Sequence, residues 1–596
     1  MSRRHRSQNV HRYAARALGR GLLAATATVA SVSAQSVAAP HESATPTLDS
    51  TTRARIDSMF ASYIRADAPG CALLVRRDGT TAYARGYGMA SLELGVPITP
   101  ATVMDIASTS KQFTATAVWM LALEGKLSLD DEVQRYLPEL PRLGPGPAYR
   151  VTIRQMLQHT SGWPDYVDLL LAGGTPFEAA STANDAMAVL ARQRVGNFAP
   201  GTEWMYSNTG YFLAGQIVER LTGMSMREFL RTRVFAPLGM THTDVFDDHT
   251  RLYPGHANGY TSTPGGGWRV ERTNWEQTGD GAIQTSVEDL ARWDANFDTP
   301  VVGTRALLDS LQQPARLVDG TPLTYAYGLF VDSFRGVRRV HHGGGYPGYQ
   351  SEVMRFPEQR TSILITCNGP TWTPRFLAEK VAVIVLGSAL GPTEGERLRD
   401  SLGTLPLATR TALRGVWWDP STGSVLRIAL RDSVALQGDG PGDPVRPLAQ
   451  LAGGWLISTP VGDRTPRMRF DASTGHLLVL SRNLDGARLS FERVAPVAPR
   501  DMAQRAAYAG QYTSRAVPGL WTVAARRDTL WLSVGGGRPL PIEPLFHDAF
   551  QSEYGVLRFQ RDARGHIAGL HVTTYGVREL RFIRREAGDV YPANGH

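Results

Sequence analysis

The chain has 596 residues, 42% of them hydrophobic and 20% charged, with 60 Gly, 37 Pro and 2 Cys. That length accommodates two or three domains with cores of their own, and that balance excludes wholesale disorder, a collagen-like repeat and a disulfide-dense miniprotein. The formal charge of +8 falls to +2 once the six arginines among residues 1–34 are set aside, so the basicity belongs to the leader and no nucleic-acid partner is implied.

Residues 1–34 read as an export signal: an Arg-rich start, then small or apolar residues 21–34, ending in Val32-Ser33-Ala34 with a cut before Gln35. The run is too short to span a bilayer, and residues 381–390 are about half a span and read as a core helix. An exported protein (periplasmic or extracellular) with no transmembrane segment is expected. After a polar linker at 41–48, a helix is expected over 53–64, then strands over 71–75 and 81–87 joined at Asp78-Gly79. Helices follow over 112–124, 153–158 and 211–222, and another starts at Ser286 with capping-box chemistry. Strands return over 337–342, 350–356 and 362–367, closed by a helix over 376–386. Strands at both ends with helices between them describe an α+β domain around a mainly antiparallel sheet.

Beyond a loop at 391–409 the texture changes to short alternating strands. Segments 410–497 and 505–590 look duplicated: Leu413-Arg-Gly-Val-Trp-Trp matches Tyr508-Ala-Gly-Gln-Tyr-Thr, Pro447-Leu448 matches Pro544-Leu545, and Arg469-Phe470 matches Arg558-Phe559. Ser490-Phe491 likewise matches Arg581-Phe582. Two such halves make small antiparallel barrels or one shared sandwich.

Cys71 and Cys367 are two buried thiols or one bridge; there is no C-x-x-C and no H-E-x-x-H, so no metal and no cofactor is expected. Lysine is the informative count: Lys111, Lys126 and Lys380 stand against 60 arginines, and none precedes Ser or Thr, which excludes a Walker A loop. A retained lysine is a candidate for work that guanidinium cannot do, because a buried amine can lose its proton.

Three motifs carry candidate chemistry. In Ser108-Thr-Ser-Lys111 at a helix start, serine and lysine fall on one face, and a desolvated amine there can take the hydroxyl proton. In Tyr206-Ser-Asn208 the two side chains point the same way on an extended loop, a phenol to shuttle a proton and an amide to orient a carbonyl. In His341-His342-Gly343-Gly344-Gly345 the glycines let a substrate backbone lie against a strand and free an N–H for an oxyanion, while the two histidines face opposite sides.

In this order the three motifs resemble the serine β-lactamase and penicillin-binding protein superfamily, in its class C-like branch of β-lactamases, DD-peptidases, D-aminopeptidases and esterases. The likeness covers about residues 45–390 and includes Leu157-Gln-His-Thr-Ser-Gly162, Pro237-Leu-Gly-Met240 and Tyr327-Gly-Leu329. It implies the β-lactamase/transpeptidase-like fold, a sheet flanked by helices with a helical subdomain; the C-terminal repeats resemble lipocalin-like modules. It also implies Ser108 as nucleophile, Lys111 as its activator and Tyr206 as general acid/base. Asn208 would position the substrate amide, and His342-Gly343-Gly344 would replace Lys-Thr-Gly. The N–H groups of Ser108 and Gly345 would form the oxyanion hole. Ser110 and His159 are expected to be structural. A histidine at 342, near its ordinary pKa, is charged only part of the time, which disfavours efficient β-lactam hydrolysis.

In the same fold the strands that carry Cys71 and Cys367 are neighbours, so a bridge is within reach. The expected activity is hydrolysis of an amide, in a peptide or D-amino-acid compound, or of an ester, through an acyl-enzyme on Ser108. Trp163, Tyr166, Trp204 and Tyr346 are candidates for an apolar pocket that would favour esters. A slowly acylated penicillin-binding or sensor protein is the rival reading. The partner expected is a small-molecule or peptide substrate.

Overall fold

A computed structural model describes residues 48–370, 374–431, 434–438, 446–461, 465–480, 488–495 and 502–586; the expected leader lies outside them. Helix α1 (Ser50–Met59) starts where Asp49 accepts the Thr52 N–H at 2.8 Å, a few residues earlier than the apolar spacing suggested. Strands β1 (Cys71–Arg77) and β2 (Thr80–Tyr87) meet at Asp78 and Gly79, whose φ values of 50° and 82° suit the two-residue hairpin.

Four more strands come from the far end of the domain: β3 (Phe330–Phe334), β4 (Val337–Tyr346), β5 (Tyr349–Phe356) and β6 (Thr361–Cys367). The sheet runs β3-β4-β5-β6-β1-β2, antiparallel throughout. Strand β1 reads as a continuous apolar run because both of its faces are covered. Leu73 and Val75 face a core shared with α1 and the helix Pro374–Leu386, while Ala72 and Leu74 face the core of the inserted helices.

The chain between β2 and β3 supplies that insert. Its main helices are α2 (Lys111–Leu123), α3 (Tyr166–Ala172), α4 (Asn208–Thr222) and α5 (Val287–Asp298); α5 begins at Ser286, which accepts the Asp289 N–H at 3.2 Å. No single helix among the described residues is long and apolar enough to cross a membrane.

Cys71 faces Cys367 across β1 and β6, and the two form a disulfide that ties residues 296 positions apart. Replacing both cysteines by alanine is expected to lower unfolding free energy by about 2–5 kcal/mol, because the long loop they close restricts the unfolded chain. Urea titration reads this; an unchanged midpoint would show that the bridge adds no stability.

The C-terminal region forms two closed eight-stranded antiparallel barrels, not one shared sandwich. The repeat runs down to single side chains. Trp417 donates its indole N–H to the Leu413 carbonyl at 2.7 Å, and Tyr512, its counterpart, donates its hydroxyl to the Tyr508 carbonyl at 2.7 Å. Arg493 and Arg584, on the eighth strand of each barrel, donate to the carbonyls of Arg414 and Ala509 beside Gly415 and Gly510.

The first barrel fills its own core, around Trp417, Met468 and Leu477, and meets the second through Trp418, Val425, Phe546 and Val556. The second barrel's core is continuous with that of the helical insert: Trp521, inside the barrel, donates its indole N–H to the Ala172 carbonyl at the end of α3, at 2.7 Å.

Candidate active site

Ser108 lies in a tight turn, Ala107–Ser110, that feeds α2. Ala107 holds φ at 46°, a conformation rare for a residue with a Cβ, and Asp105 holds it there by accepting the Ala107 N–H at 2.6 Å. The turn is fastened to the sheet by Thr109 and Ser351. Ser351 donates to the Ile106 carbonyl at 2.7 Å and accepts from the Thr109 hydroxyl at 2.9 Å, which also stands 3.2 Å from the His342 carbonyl oxygen.

Lys111 is fully buried. Its Nζ stands 3.0 Å from Ser108 Oγ, 2.8 Å from Asn208 Oδ1 and 2.7 Å from the Asp280 carbonyl oxygen. A charged ammonium can donate to all three. A neutral amine donates to the two carbonyl oxygens and has its lone pair left for the Ser108 hydroxyl proton. Burial pulls the amine down to about 8, against the carboxylates of Asp280 and Asp165, which pull it up. The neutral form is therefore accessible near neutral pH, as guanidinium would not be.

Tyr206 places its ring 5.0 Å from Lys111 Nζ. Burial holds its phenol well above the ordinary value while the hydrogen-bonded Ser108 hydroxyl pulls it down, so Tyr206 stays protonated at neutral pH. Its ring lies on His159, centroids 4.3 Å apart; His159 accepts the Ser207 N–H at 3.2 Å and has φ at 59°. His159 thus shapes the Tyr206–Asn208 loop from below. Ser110 accepts the Ile283 N–H at 3.3 Å, a packing contact.

The strand motif divides its labour. His342 is buried, with its Nδ1 on the Gly343 carbonyl at 2.7 Å and its Nε2 facing the Tyr325 hydroxyl at 3.1 Å. Burial, and then the charge of Lys111, pull the imidazole down to about 3. The expectation of a histidine charged part of the time is corrected: this ring is neutral, because no water reaches it and Lys111 is its neighbour. Gly343 is packed beside Glu352, and a Cβ on Gly344 would stand 2.1 Å from the Ile106 carbonyl oxygen, so its glycine lets β4 pass against the serine turn. Gly345 faces open space in the cavity wall. Gly344→Ala is expected to cost about 1–3 kcal/mol by overpacking this contact; thermal unfolding checks it, and a neutral result would show that the strand yields freely.

The cavity over Ser108 measures about 230 Å3, below the roughly 300–1,000 Å3 of sites that hold drug-sized ligands. Tyr166, Phe177, Trp275 and Tyr346 form its apolar wall; Asp105 and Asp280 also line it. Of the aromatics the sequence suggested for this pocket, Tyr166 and Tyr346 are here. Trp163 is packed in the core beside it, and Trp204 faces a second cavity.

Burial raises Asp280 to about 6, with Lys111 and the Tyr166 hydroxyl opposing; Tyr166 stands 3.1 Å from both carboxylate oxygens. Burial likewise raises Asp105 to about 6. Neither Asp105 nor Asp280 forms an ion pair among the described residues. Asp165 and Asp280 were missed as site residues because they lie far from Ser108 in the chain and only the fold brings them to it. Asp105, three residues before Ser108, was missed because nothing in the sequence marks its carboxylate as buried in the cavity wall. Away from the serine, Asp248, His249 and Glu276 bring three donor atoms within 4.8 Å of one another on a half-exposed surface, where His249 Nδ1 and Glu276 Oε1 already pair at 2.6 Å.

The second barrel reaches this site. The turn between its last two strands places Tyr575 in the cavity wall. Gly576 donates its N–H to Asp168 at 2.7 Å, and its carbonyl accepts from the Asn197 side chain at 2.9 Å and from the Asp165 N–H at 3.0 Å. Asp165 in turn accepts the Asn208 N–H, and Asn208 accepts from Lys111. Three links therefore join the barrel to the lysine. A Cβ at position 576 would stand 2.3 Å from that of Asp165. Gly576→Val is expected to lower kcat by about 10- to 100-fold through misplacement of this chain; steady-state kinetics at saturating substrate decide it, and an unchanged kcat would break the link.

A family model described as Beta-lactamase matches residues 49–387. Penicillin-binding protein 4* of Bacillus subtilis is 31% identical over 313 residues, which cover 50% of this chain and 67% of that protein. A D-aminopeptidase of Brucella anthropi is 26% identical over 540 residues, 87% of this chain and 95% of its own. Among solved structures, the octameric penicillin-binding protein homologue from Pyrococcus abyssi matches with a TM-score of 0.52 at 22% identity, over 74% of this chain and all of that one, a likeness of fold.

Proposed function

The chain belongs to the β-lactamase family and is a serine hydrolase with amidase or peptidase character, and from that premise we propose that it removes a single N-terminal amino acid, of D configuration, from an amide or short peptide. One observation carries this reading: a small cavity over Ser108 and Lys111 has two buried carboxylates, Asp280 and Asp105, without an ion pair among the described residues. Asp105 is met by the Ala107 N–H and Gln284, and Asp280 by the Tyr166 hydroxyl and the Lys111 charge. A substrate ammonium would add the paired cation that both carboxylates lack. The D configuration rests on the relatives named D-aminopeptidase. The neutral His342 offers no fixed positive charge to a substrate carboxylate, which fits an amine-bearing substrate better than a β-lactam.

In acylation, Lys111 takes the Ser108 proton and Oγ bonds to the substrate carbonyl carbon. The oxyanion is held by the N–H groups of Ser108 and Gly345, whose residues both line the cavity. The C–N bond breaks as Tyr206 gives its proton to the leaving amine, and Lys111 holds the proton that restores the phenol. Water then attacks the ester as Lys111 takes its proton, the C–Oγ bond breaks as Lys111 returns that proton to Oγ, and the free amino acid leaves with Ser108 restored. Asn208 holds Lys111 and presents its amide to the substrate.

Since the reactive forms are a neutral Lys111 and a charged substrate ammonium, kcat/KM is expected to be bell-shaped in pH. It rises with an apparent pKa near 8, where burial places the amine, and falls as the substrate α-amino group, of pKa about 8, loses its proton. A profile flat from pH 6 to 9 would remove Lys111 from the role of base. The disulfide supports an oxidising compartment, in keeping with export.

The test is direct. The chain is mixed with a fluorophosphonate, and the adduct is located by peptide mapping. The D- and L-forms of alanine and phenylalanine amides are then compared. One adduct, on Ser108, with D-amide turnover exceeding L by at least about tenfold (1.4 kcal/mol) is expected. A folded chain that takes no adduct would favour a binding or sensor protein; esters turned over in preference to amides would favour an esterase.

A further inference from the structure

A second cavity, of about 670 Å3, opens where the hydrolase domain and both barrels meet. Its walls combine Trp204 and Tyr206 from the motif loop, Thr422 from the first barrel, and Thr574, Tyr575 and Arg578 from the second. Tyr206 and Tyr575 belong to the walls of both cavities, so the two spaces adjoin at the phenol of the motif loop. The second is roughly three times the volume of the first.

We propose that this three-domain cavity is the leaving-group site, and that it takes the next two or three residues of a short peptide whose first residue occupies the cavity over Ser108. The inference rests on the reading of Ser108 as an acylated nucleophile and of Tyr206 as the acid that protonates the departing amine. A group that receives its proton from Tyr206 must lie against that phenol, and the space beyond it is this cavity.

The walls are mixed in character. Trp204, only 7% exposed, gives the cavity an apolar side. Thr422 and Thr574 line it from the two barrels, the Thr574 hydroxyl being held by Asp168. The wall is held in place by the paired hydrogen bonds of Arg578 with Glu203, at 3.1 and 2.6 Å, which clamp the second barrel to the motif loop. The duplicated barrels thus complete a substrate site that the hydrolase domain alone does not enclose.

The experiment measures kcat/KM of the full chain for D-alanine amide, D-Ala-Gly, D-Ala-Gly-Gly and D-Ala-Gly-Gly-Gly-Gly. A rise of about tenfold or more from the amide to the tripeptide, with a plateau beyond, is expected. In Thr422→Trp, which fills the cavity from the first barrel, the ratio of tripeptide to amide kcat/KM falls toward one. Far-ultraviolet circular dichroism verifies that the variant is folded. A second measurement needs no variant: triglycine added during turnover of the amide captures the acyl-enzyme saturably, forming a D-Ala–Gly bond in place of the acid, whereas methylamine does not saturate.

Amide turnover that is indifferent to chain length, to Thr422→Trp and to triglycine overturns this inference and leaves the reading of the serine intact. Absence of turnover for every member, with no fluorophosphonate adduct, overturns both.

Discussion

Ser108→Ala and Lys111→Arg are each expected to lower kcat/KM by about 10⁴-fold or more, and the double variant to be within about threefold of the worse single one. Non-additivity follows from the geometry. Lys111 Nζ lies 3.0 Å from Ser108 Oγ and its other two contacts are carbonyl oxygens, so the amine has no substrate proton to take once the hydroxyl is gone. Arginine preserves the charge and loses the function, because its guanidinium does not deprotonate near neutral pH. Steady-state kinetics on the same amide decide the matter. Multiplicative losses would show that the two residues act in separate steps, and an active Lys111→Arg would make a charge at this place sufficient.

Asp294→Ala is expected to lower unfolding free energy by about 3–5 kcal/mol, the cost of leaving a buried charge without its partner. Asp294, on α5, is 1% exposed and bonds to Arg76 on β1 and, at 2.8 Å, to Arg355 on β5. The guanidinium of Arg355 also lies 3.7 Å over the Phe297 ring. The carboxylate therefore pins one helix to two strands of the sheet. Among the described residues, its loss leaves Arg355 without a carboxylate and Arg76 with only the half-exposed Asp298, at 3.2 Å. Burial pushes its carboxyl up, but Arg355 and Arg76 together outweigh burial and hold it below the ordinary range. Its folded pKa is thus lower than its unfolded value of about 3.9, so its stabilisation is present above that value and is lost as pH falls through the folded one. Chemical denaturation at pH 7 and pH 3 checks both statements: the gap between wild type and Asp294→Ala narrows in acid. A loss under about 1 kcal/mol at pH 7 would show that water reaches the arginines.

Asp105, Asp280 and Asp165 behave in the opposite sense. Burial raises the first two to about 6 and the third to about 7, where Asp168 adds to the effect. Groups raised in this way favour the folded state below their unfolded pKa, and that contribution is lost as pH rises through the folded value. The site therefore holds its carboxylates at a cost to stability while the sheet gains from its own, as expected where one set faces a cavity and the other is paired.

Local chemistry was legible in the chain as printed. Ser108 and Lys111 three apart, the hairpin at Asp78-Gly79 and the cap at Ser286 depend on neighbours in sequence, and turn and helix geometry alone bring their atoms together. The barrel repeat was legible for a related reason: each strand has to alternate, and the corner side chains at 413 and 417 recur at 508 and 512. Burial was not legible. The sequence presented His342 as an ordinary imidazole, and burial and then the Lys111 charge, both supplied by distant segments, hold it toward the neutral form.

Sequence by itself determined an α+β domain with a Ser–Lys pair one turn apart and two β-rich repeats, because periodicity, capping and one-turn spacing are short-range properties of the chain. The hydrolase reading came through the resemblance of its three motifs to a known family. Only the tertiary structure decided where Asp165 and Asp280 stand, that Cys71 meets Cys367, and that Gly576, 368 residues from Asn208, helps to hold it. These depend on contacts between segments from 43 to 411 residues apart, which no local pattern encodes and which packing alone selects.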